Sequence, residues 1–433
     1  MTTPIPKKVI PNLSLKETLL EKEQMFHGKD DIFGMTLLTN PGYISASRNI
    51  MFTSHLRQFV NLNHPDFPRV FTNYENIVGK YSTGFYKAKN KLIIVDKIPK
   101  FDEIDSNHLY LMFLYDEKND NYSVIQKKVV EDLTEKFGFR YKTDVMDSKQ
   151  IGDIVSKDET LYSSTSYDED GNYGYGRNVK SLYLLENNTI EDAIVCSKSL
   201  SRDMSSTEVE TVKVSLNDND ILCNLYGTND EYKGFPDINE KVKDKIICAK
   251  RRIHNNQLLF DLKKSNLRKI NFMSDVLYFI NGKVVDITIY LNKPIEEVVD
   301  NSFNRQLLKY LKMQREFYTK VYECCDRIIK SGSNYSSEIN FYYKKARNIL
   351  DENYMYKEED NSVFSNMVIE FLVERKVELS VGQKITGRYG NKGVISKIVP
   401  DDEMPVLETG ERVDVIFNCL GVINRLTGKV QAI

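Results

Sequence analysis

The sequence predicts an α+β protein of several domains, in which strands from two separate parts of the chain form a β-rich core. Three observations support this prediction. The chain has 433 residues, enough for roughly two or three domains with a substantial core. Strand-like segments occur on both sides of a long insertion, which runs roughly from Leu200 to Asp360. The clearest helix, Phe303 to Ile329, lies inside that insertion and carries one apolar stripe, formed by Leu307, Leu311, Tyr318, Val321, Cys325 and Ile328.

The part of the chain before the insertion contains helical segments, a polar loop and short strands. Leu13 to Gln24 has the spacing of an amphipathic helix. Ile44 to Phe59 carries several polar residues among apolar ones and predicts a short helix or turn. Ser156 to Asn178 is polar and contains glycine, which favours a loop. Strands are predicted at 91–95, 108–113 and 179–185.

The insertion is predicted to be β first and α afterwards. Asp237 to Lys250 alternates apolar and polar residues. Segments 276–280 and 283–291 flank Asn281-Gly282, the pair that a type I′ turn requires, and so predict a hairpin. The long helix is expected to stop at Gly332, and a second helix over 337–350 to fold back on it. Strands at 369–373, 394–399 and 413–418 follow.

Composition restricts the possible functions. The six cysteines form no CxxC pair and the five histidines lack metal-ligand spacing, so we expect reduced thiols and no zinc. No apolar run has membrane-spanning length and no signal peptide is predicted. A formal net charge of −2 makes any contact with a polyanion a local one. The high content of Lys, Asn, Ile and Tyr, without Trp, suits an AT-rich genome.

The segment Val381–Gly393 is the most informative stretch. It contains four glycines, two lysines and one arginine, and no acidic residue occurs from Lys384 to Lys397. Glycine lets the backbone approach a polyanion, and the lysines Lys384 and Lys392 then neutralise its charge. A solvated turn is the alternative, and it is favoured for Lys397. The chain has no GxxxxGK[ST] motif, so this is not a nucleotide P-loop.

Other charged residues have two possible roles. Glu191-Asp192 precedes an apolar segment, where carboxylates are costly unless they are paired or lie near a metal. On sequence alone, a surface pair or a helix N-terminal charge is favoured. Arg48 and Arg57 could bind phosphate through paired hydrogen bonds or form structural salt bridges. The sequence shows no arrangement of Ser, His or Cys typical of a nucleophile, and no HExxH or DxDGD motif.

The stretch from Val381 to Arg425 resembles the β subunit of multi-subunit DNA-directed RNA polymerases. The family pattern is G-D-K-x-x-G-R-H-G-N-K-G-V-x-S-K-I, followed by D-M-P and V-D-I-x-x-N-P-L-G-V-P-x-R, and most of its positions match. Tyr389 replaces the histidine, Gln383 the aspartate, and Cys419 and Ile423 the prolines. Three further blocks occur in the family's order, at 47–58, at 176–197, and at 242–250 with 283–290.

The resemblance implies roles for the matched cations. Lys384 and Lys392 match the lysines that hold the RNA 3′ end and the incoming phosphates, and Arg388 lies in the same motif. Arg48 and Arg425 match arginines near the substrate triphosphate. All five are therefore expected to bind nucleotide or RNA.

The resemblance also implies where the metal is held. Glu191 and Asp192 match an acidic pair beside the second magnesium ion, and Arg57 and Gln58 fall in the fork region. The catalytic aspartates of the family lie on the β′ subunit. Mg²⁺ is therefore expected to be bound mainly by a β′-like partner.

By resemblance, the fold is a double-psi β-barrel core with an inserted β flap and helical hairpin. The expected parts are a fork and helical region (1–60), the first part of the barrel (61–200), the flap-like insertion with its helical hairpin (201–365) and the second part of the barrel (366–433). The expected partners are β′-like subunits, an N-terminal β-like fragment and a promoter-specificity subunit, with template DNA, nascent RNA and NTPs.

A β subunit split over several chains resembles the polymerases of jumbo bacteriophages, which act in the bacterial cytoplasm. One alternative is a non-catalytic assembly or regulatory fragment that keeps the barrel for docking. Four converging cations argue against it, because they repel one another without a bound anion. A single-chain, two-barrel RNA-dependent polymerase is disfavoured because such chains carry their own metal-binding aspartates.

Overall fold

A computed structural model describes residues 36–39, 41–101, 109–132, 136–228, 231–252, 276–351, 354–357 and 366–421. The predicted helix at 13–24 and residue His108 lie outside this part of the chain. The helices of the described part are α1 (Ala46–Gln58), α2 (Glu75–Tyr81), α3 (Asp144–Ser148), α4 (Lys198–Asp203), α5 (Arg305–Lys330) and α6 (Ser337–Leu350), with short 3-10 turns at Pro41–Tyr43, Ile295–Glu297 and Asp401–Glu403.

The strands of the described part fall into four sheets, which confirms the α+β class. They are β1 (Phe85–Lys87), β2 (Leu92–Pro99), β3 (Tyr110–Asp116), β4 (Asn121–Gln126), β5 (Val130–Asp132), β6 (Phe137–Lys142), β7 (Ile154–Val155), β8 (Thr160–Ser164), β9 (Ser181–Tyr183), β10 (Ala193–Ser197), β11 (Ser206–Leu216), β12 (Asp220–Leu222), β13 (Ile246–Arg252), β14 (Val276–Phe279), β15 (Lys283–Leu291), β16 (Asn334–Tyr335), β17 (Met367–Val377), β18 (Lys384–Ile385), β19 (Gly393–Val399) and β20 (Val415–Phe417).

The insertion is closed at its base by one long strand pair. β11 and β17 run antiparallel from Ser206 opposite Val377 to Leu216 opposite Met367. They are the inner strands of a sheet in the order β1-β8-β6-β11-β17-β15, with β5 beside β6. Buried apolar residues of both strands, including Val214 and Phe371, belong to the largest hydrophobic cluster of the described residues. The two ends of the insertion are thus held together by main-chain hydrogen bonds and buried apolar area.

The helical hairpin is confirmed. All six apolar residues of the predicted stripe on α5 are buried, and Gly332 follows the helix with φ of +80°, the conformation that favours a glycine stop. The helices α5 and α6 share one hydrophobic cluster with Ile98, Leu111 and Phe113 of β2 and β3. The hairpin therefore packs on the sheet that has the order β16-β4-β3-β2-β7.

A curled five-stranded half-barrel carries the segments of greatest interest. Its order is β18-β19-β10-β20-β9, so strands from both sides of the insertion lie side by side, as predicted. β10 and β19 are parallel, with Ala193 opposite Val394. The strand ends that precede each of them, Asp192 and Lys392, are thereby brought to the same edge. The double-psi connection itself remains a prediction.

Three local predictions were wrong. The segments flanking Asn281-Gly282 do not form a hairpin, because β14 pairs with β13 whereas β15 pairs with β17. A Cβ atom at Gly282 would lie 2.4 Å from the Glu374 carbonyl oxygen, so this glycine permits a close crossing rather than a tight turn. The expected loop at 156–178 contains β8. In 237–250, regular strand structure begins only at Ile246.

The two segments expected to form a flap, 242–250 and 283–290, lie mainly in different sheets. β13 belongs to the three-stranded sheet β12-β13-β14, and β15 forms the edge of the sheet that contains β17. An isolated bridge between Lys241 and Lys283 links the two segments at one point. No helix of the described residues is long and apolar enough to cross a bilayer.

Candidate functional site

The lysine- and glycine-rich loop, residues 384–393, is anchored by one face of α1. Arg48 donates a hydrogen bond from Nη1 to the Gly390 carbonyl oxygen at 2.8 Å. Two helical turns further on, His55 Nδ1 lies 3.2 Å from the Thr386 hydroxyl. Positions seven residues apart share a helix face, so α1 holds the loop at two points.

Tyr389 and Arg388 of the loop both contact other residues of the chain. The Tyr389 hydroxyl lies 2.7 Å from the Thr39 hydroxyl, and its ring packs on a cluster that includes Phe52. Arg388 donates to the Val70 carbonyl oxygen at 3.0 Å, and its guanidinium lies 5.5 Å from the centre of the Tyr175 ring. These contacts hold the loop in place, and substrate binding by Arg388 stays a prediction.

Two glycines allow the loop its close approaches. Gly390 has φ of +73°, and a Cβ atom there would lie 3.4 Å from Met51 Cβ on α1. A Cβ atom at Gly393 would lie 2.3 Å from the Asp192 carbonyl oxygen and 2.5 Å from Ile194 Cδ1. Gly393 is therefore required where β19 approaches β10.

The acidic pair stands beside Lys392 although the two are far apart in sequence. Glu191 has φ of +54°, directly before β10, and the Asp192 carbonyl oxygen accepts a hydrogen bond from the Val394 amide at 2.9 Å. Both side chains are exposed. Glu191, Asp192, Asn391 and Lys392 line one small pocket, and its wall includes the stacked rings of Tyr183 and Phe417.

Positive charges lie close together at the site. Burial lowers the pKa of His55 from its ordinary value of 6.5, and the charges of Lys392 and Arg48 lower it further. Neither Lys384, Lys392 nor Arg48 forms an ion pair with any residue that the structure describes. The site therefore concentrates cations whose counter-charge comes from outside this part of the chain.

A larger cleft of about 680 Å³ adjoins this pocket, and Lys384 lines it from β18 together with His55, Gln58 and Asn391. Arg57 is exposed on α1 and does not line the cleft. Arg425 lies outside the described residues. The structure thus brings Lys384, Lys392 and the acidic pair to two cavities that share Tyr183, Asn391 and Phe417 as lining residues. Arg48 lines neither cavity but is bonded to the loop, and Arg57 does not line either cavity.

Glu191 and Asp192 could supply part of the ligands of a magnesium ion, but they do not form a complete metal site. Among the described residues, no group of three or more His, Cys, Asp or Glu side chains is arranged to hold a metal. Mg²⁺ is commonly bound through one or two protein carboxylates together with substrate phosphates and water. Two exposed carboxylates beside a phosphate-suited cation meet that description only if a second chain or the substrate supplies further ligands.

Sequence reasoning missed His55 and Asn391 as site residues. Asn391 lines both cavities, and its Oδ1 accepts a hydrogen bond from the Gly387 amide at 2.9 Å, which braces the loop across its turn. The signal for His55 was its seven-residue spacing from Arg48 on a helical segment. No sequence signal separated Asn391 from an ordinary turn residue.

The fold and the site define an α+β protein with a cation-lined cleft suited to a polyanionic ligand. Residues 142–430, well over half of the chain, match the family described as RNA polymerase Rpb2, domain 6. The chain belongs to this family.

Several curated proteins are similar in sequence to most of this chain. The DNA-directed RNA polymerase subunit beta of Karelsulcia muelleri (strain GWSS) is 22% identical over 88% of this chain and 34% of that protein. The subunit beta of Staphylococcus aureus (strain COL) is 24% identical over 88% of this chain and 28% of that protein. That of Rickettsia felis is 22% identical, with 88% and 32% covered. The chain spans about a third of the length of these curated relatives.

Proposed function

We propose that this chain is a β-like subunit of a DNA-directed RNA polymerase, and that it binds NTP phosphates and the RNA 3′ end. It would be one piece of a split β subunit of the jumbo-bacteriophage type, working in the cytoplasm of a bacterial host. Its partners would be β′-like subunits, an N-terminal β-like fragment and a promoter-specificity subunit. Template DNA would lie in the same assembly.

One observation carries the proposal. The lysines of the 384–393 loop and the acidic pair before β10 come from distant segments and line two adjoining cavities, and Arg48 of α1 is hydrogen-bonded to the same loop. In the absence of an anion, neighbouring cations repel one another. A triphosphate or an RNA backbone supplies the missing negative charge.

The proposed roles follow from chemistry. Lys392 and Lys384 offer charged donors to phosphate oxygens, and a fixed charge stabilises a transition state without reorganisation at the moment of reaction. Arg48 and His55 position the loop, and therefore set where both lysines stand. Glu191 and Asp192 would help hold magnesium that is bound mainly by a β′-like partner, and bound magnesium supplies charge neutralisation to the phosphates.

The test is RNA elongation by the assembled polymerase, reconstituted with Lys392→Ala. Loss of one preorganised charge contact slows turnover about 10²–10³-fold in comparable sites, which corresponds to roughly 3–4 kcal/mol. We expect a loss of that size. The matched control is Lys397→Ala, which removes an exposed lysine five residues further along, in β19.

Subunit assembly is measured alongside elongation, by co-purification with the β′-like chain, which would carry the catalytic aspartates in the DxDGD motif that this chain lacks. Normal assembly with slow elongation supports the proposal. Normal assembly with unchanged elongation would refute it and would favour the alternative of a non-catalytic scaffold fragment. Failure to co-purify with any such chain would also count against membership of a polymerase.

A further inference from the structure

The lysine- and glycine-rich loop is held at its base by strand pairing. β18 and β19 run antiparallel, and the last pair before the connection places Ile385 opposite Gly393. Arg388 lies in the middle of the loop, four residues from Lys384 and four from Lys392. Strand pairing fixes the base of such a connection and leaves its tip to side-chain contacts. The contacts of Arg388 therefore help to decide how Lys392 is oriented.

The tip of the loop meets the aromatic ring of Tyr175. The guanidinium of Arg388 lies 5.5 Å from the centre of that ring. A guanidinium within about 6 Å of a ring centre is attracted by the negative face of the ring. Burial raises the pKa of Tyr175 to about 12, although the charge of Arg388 acts in the opposite direction. The phenol is therefore neutral near neutral pH, and the ring rather than a phenolate charge attracts Arg388.

Tyr175 stands on a segment whose main chain is held on both sides of it. The Gly174 amide donates a hydrogen bond to the Ser166 carbonyl oxygen at 2.7 Å, and the Asp66 amide donates to the Gly176 carbonyl oxygen at 2.7 Å. A Cβ atom at Gly174 would lie 3.1 Å from the Asp66 carbonyl oxygen, so the segment has little room to shift. The backbone that carries Tyr175 is thus a fixed support.

A column of aromatic rings connects Tyr175 with the seven-stranded sheet. The ring centres are 5.7 Å apart from Phe85 to Tyr167, 5.4 Å from Tyr167 to Tyr173 and 5.4 Å from Tyr173 to Tyr175. Phe85 belongs to β1, at the edge of that sheet. Ring pairs at these distances stabilise one another beyond the area that they bury. The side chain of Tyr175 is therefore fixed as well as its backbone.

We infer that Tyr175 is a positioning residue, which acts through Arg388 to set where the lysine- and glycine-rich loop and its Lys392 stand. The ring lines the same cleft as Lys384, so it bounds the site that it supports. The contact with Arg388 needs no ligand, and the inference rests on the proposed function only for the reaction that the loop serves. A shift of about 1 Å in a reacting group can slow a reaction about 10²-fold, so a residue that touches no substrate can still set the rate.

The first measurement follows the position of the loop without any partner chain. Burial lowers the pKa of His55 below 6.5, and the charges of Lys392 and Arg48 lower it further, so this pKa reports whether the loop stands beside α1. In NMR titrations of the full chain, Tyr175→Leu should raise the pKa of His55, because the loop no longer holds Lys392 in place. Tyr175→Phe keeps the ring and should leave that pKa at its wild-type value.

The second measurement is RNA elongation by the reconstituted polymerase. Tyr175→Leu should slow elongation about tenfold, and Tyr175→Phe should retain the wild-type rate. The matched control is Tyr343→Leu, which removes another half-buried ring. Tyr343 stacks on Tyr322 in the helical hairpin, with ring centres 5.0 Å apart. This control should change neither the elongation rate nor the pKa of His55.

A double substitution tests whether Tyr175 acts through Arg388. In chains that carry Arg388→Ala the contact is already lost, so Tyr175→Leu should have no further effect on either measurement. Full and independent effects of the two substitutions would overturn the inference. If Tyr175→Leu does not co-purify with the β′-like chain, Arg388→Lys tests the same contact in the full chain alone, because an ammonium group does not stack on a ring as a planar guanidinium does. A raised His55 pKa in Arg388→Lys would support the inference, and an unchanged one would overturn it.

The remaining outcomes separate this inference from the proposed function. An unchanged His55 pKa in Tyr175→Leu would overturn the inference, and so would elongation that is as slow in Tyr175→Phe as in Tyr175→Leu. A raised pKa with normal elongation, while Lys392→Ala is slow, would overturn it too, because the loop would then move without consequence. Normal elongation in both Tyr175→Leu and Lys392→Ala would refute the proposed function instead, and a raised His55 pKa would still support the hold of Tyr175 on the loop.

Discussion

Lys127, just after β4, is buried and paired with the half-exposed carboxylate of Asp147, whereas Lys392 stands at the edge of the half-barrel without such a partner. The Lys127 ammonium lies 2.6 Å from Asp147 Oδ1, and its side chain is 3% exposed. Tyr110 and Thr143 donate to the same carboxylate, at 2.9 Å each. Among the described residues, Lys392 has no ion-pair partner, and it shares its pocket with carboxylates that do not approach within ion-pair distance.

The difference separates charges that serve the fold from charges that serve a ligand. A buried cation that is paired with a hydrogen-bonded carboxylate already has its counter-charge. Removing either partner leaves the other desolvated without compensation, which destabilises the fold. An uncompensated cation at a cavity contributes little to folding and gains its counter-charge only from a bound anion.

The largest effect on stability is expected for Asp147→Asn. The substitution leaves the Lys127 ammonium buried without a counter-charge, and breaking such a pair typically costs about 3–5 kcal/mol. Urea unfolding of the full chain measures the loss, with Asp144→Asn in the exposed first turn of α3 as the control. That control should cost less than about 1 kcal/mol.

Lys392→Met completes this comparison because it removes a cation that has no partner in the described residues. Its free energy of unfolding should stay within about 0.5 kcal/mol of the wild type. A destabilisation by Lys392→Met equal to that of Asp147→Asn would contradict the separation of the two groups.

A smaller loss is expected for Gly393→Ala, which tests how the half-barrel positions the site. The added Cβ atom would meet the Asp192 carbonyl oxygen at 2.3 Å, so β10 and β19 must separate. Overpacking of this kind costs about 1–3 kcal/mol, and the displaced strands also move Lys392 away from the acidic pair. Urea unfolding and elongation should both report the change.

Gly42→Ala is the matched control for that substitution, since a Cβ atom at Gly42 has no neighbour within 4 Å. It should be neutral in both measurements. Wild-type stability in Gly393→Ala would show that the close approach of the two strands is not needed.

Local patterns predicted the elements that local residues decide. The stripe of α5 and the stop at Gly332 depend on neighbouring positions, and both were found as predicted. The Asn281-Gly282 turn failed because β15 is decided by its pairing with β17, which is distant in sequence. Pairing partners of that separation leave no local signature.

At the candidate site, too, some features could be predicted from the sequence and others could not. The resemblance pointed to the lysines and the acidic pair, and the parallel register of β10 and β19 accounts for their meeting. Nothing local in the sequence joined Glu191 and Asp192 to Lys392, because the two segments are about 200 residues apart and meet only once β10 and β19 have paired.

The smallest expected effect is a pH dependence centred on His55. Its pKa lies below 6.5 because burial, Lys392 and Arg48 disfavour the protonated ring. Below pH 6.5 the unfolded chain therefore binds more protons than the folded one, so the free energy of unfolding falls as the pH decreases from 6.5 through the folded pKa, and above 6.5 this contribution is constant. His55→Gln should remove that slope.

The pKa of His55 itself can be followed by NMR titration, with its signal assigned by its loss in His55→Gln. Lys392→Ala should raise this pKa because it removes a positive charge. Added inorganic triphosphate should also raise it because it adds negative charge. An unchanged pKa with triphosphate, while Lys392→Ala raises it, would mean that the anion does not bind beside α1, and would place the ligand of the loop elsewhere.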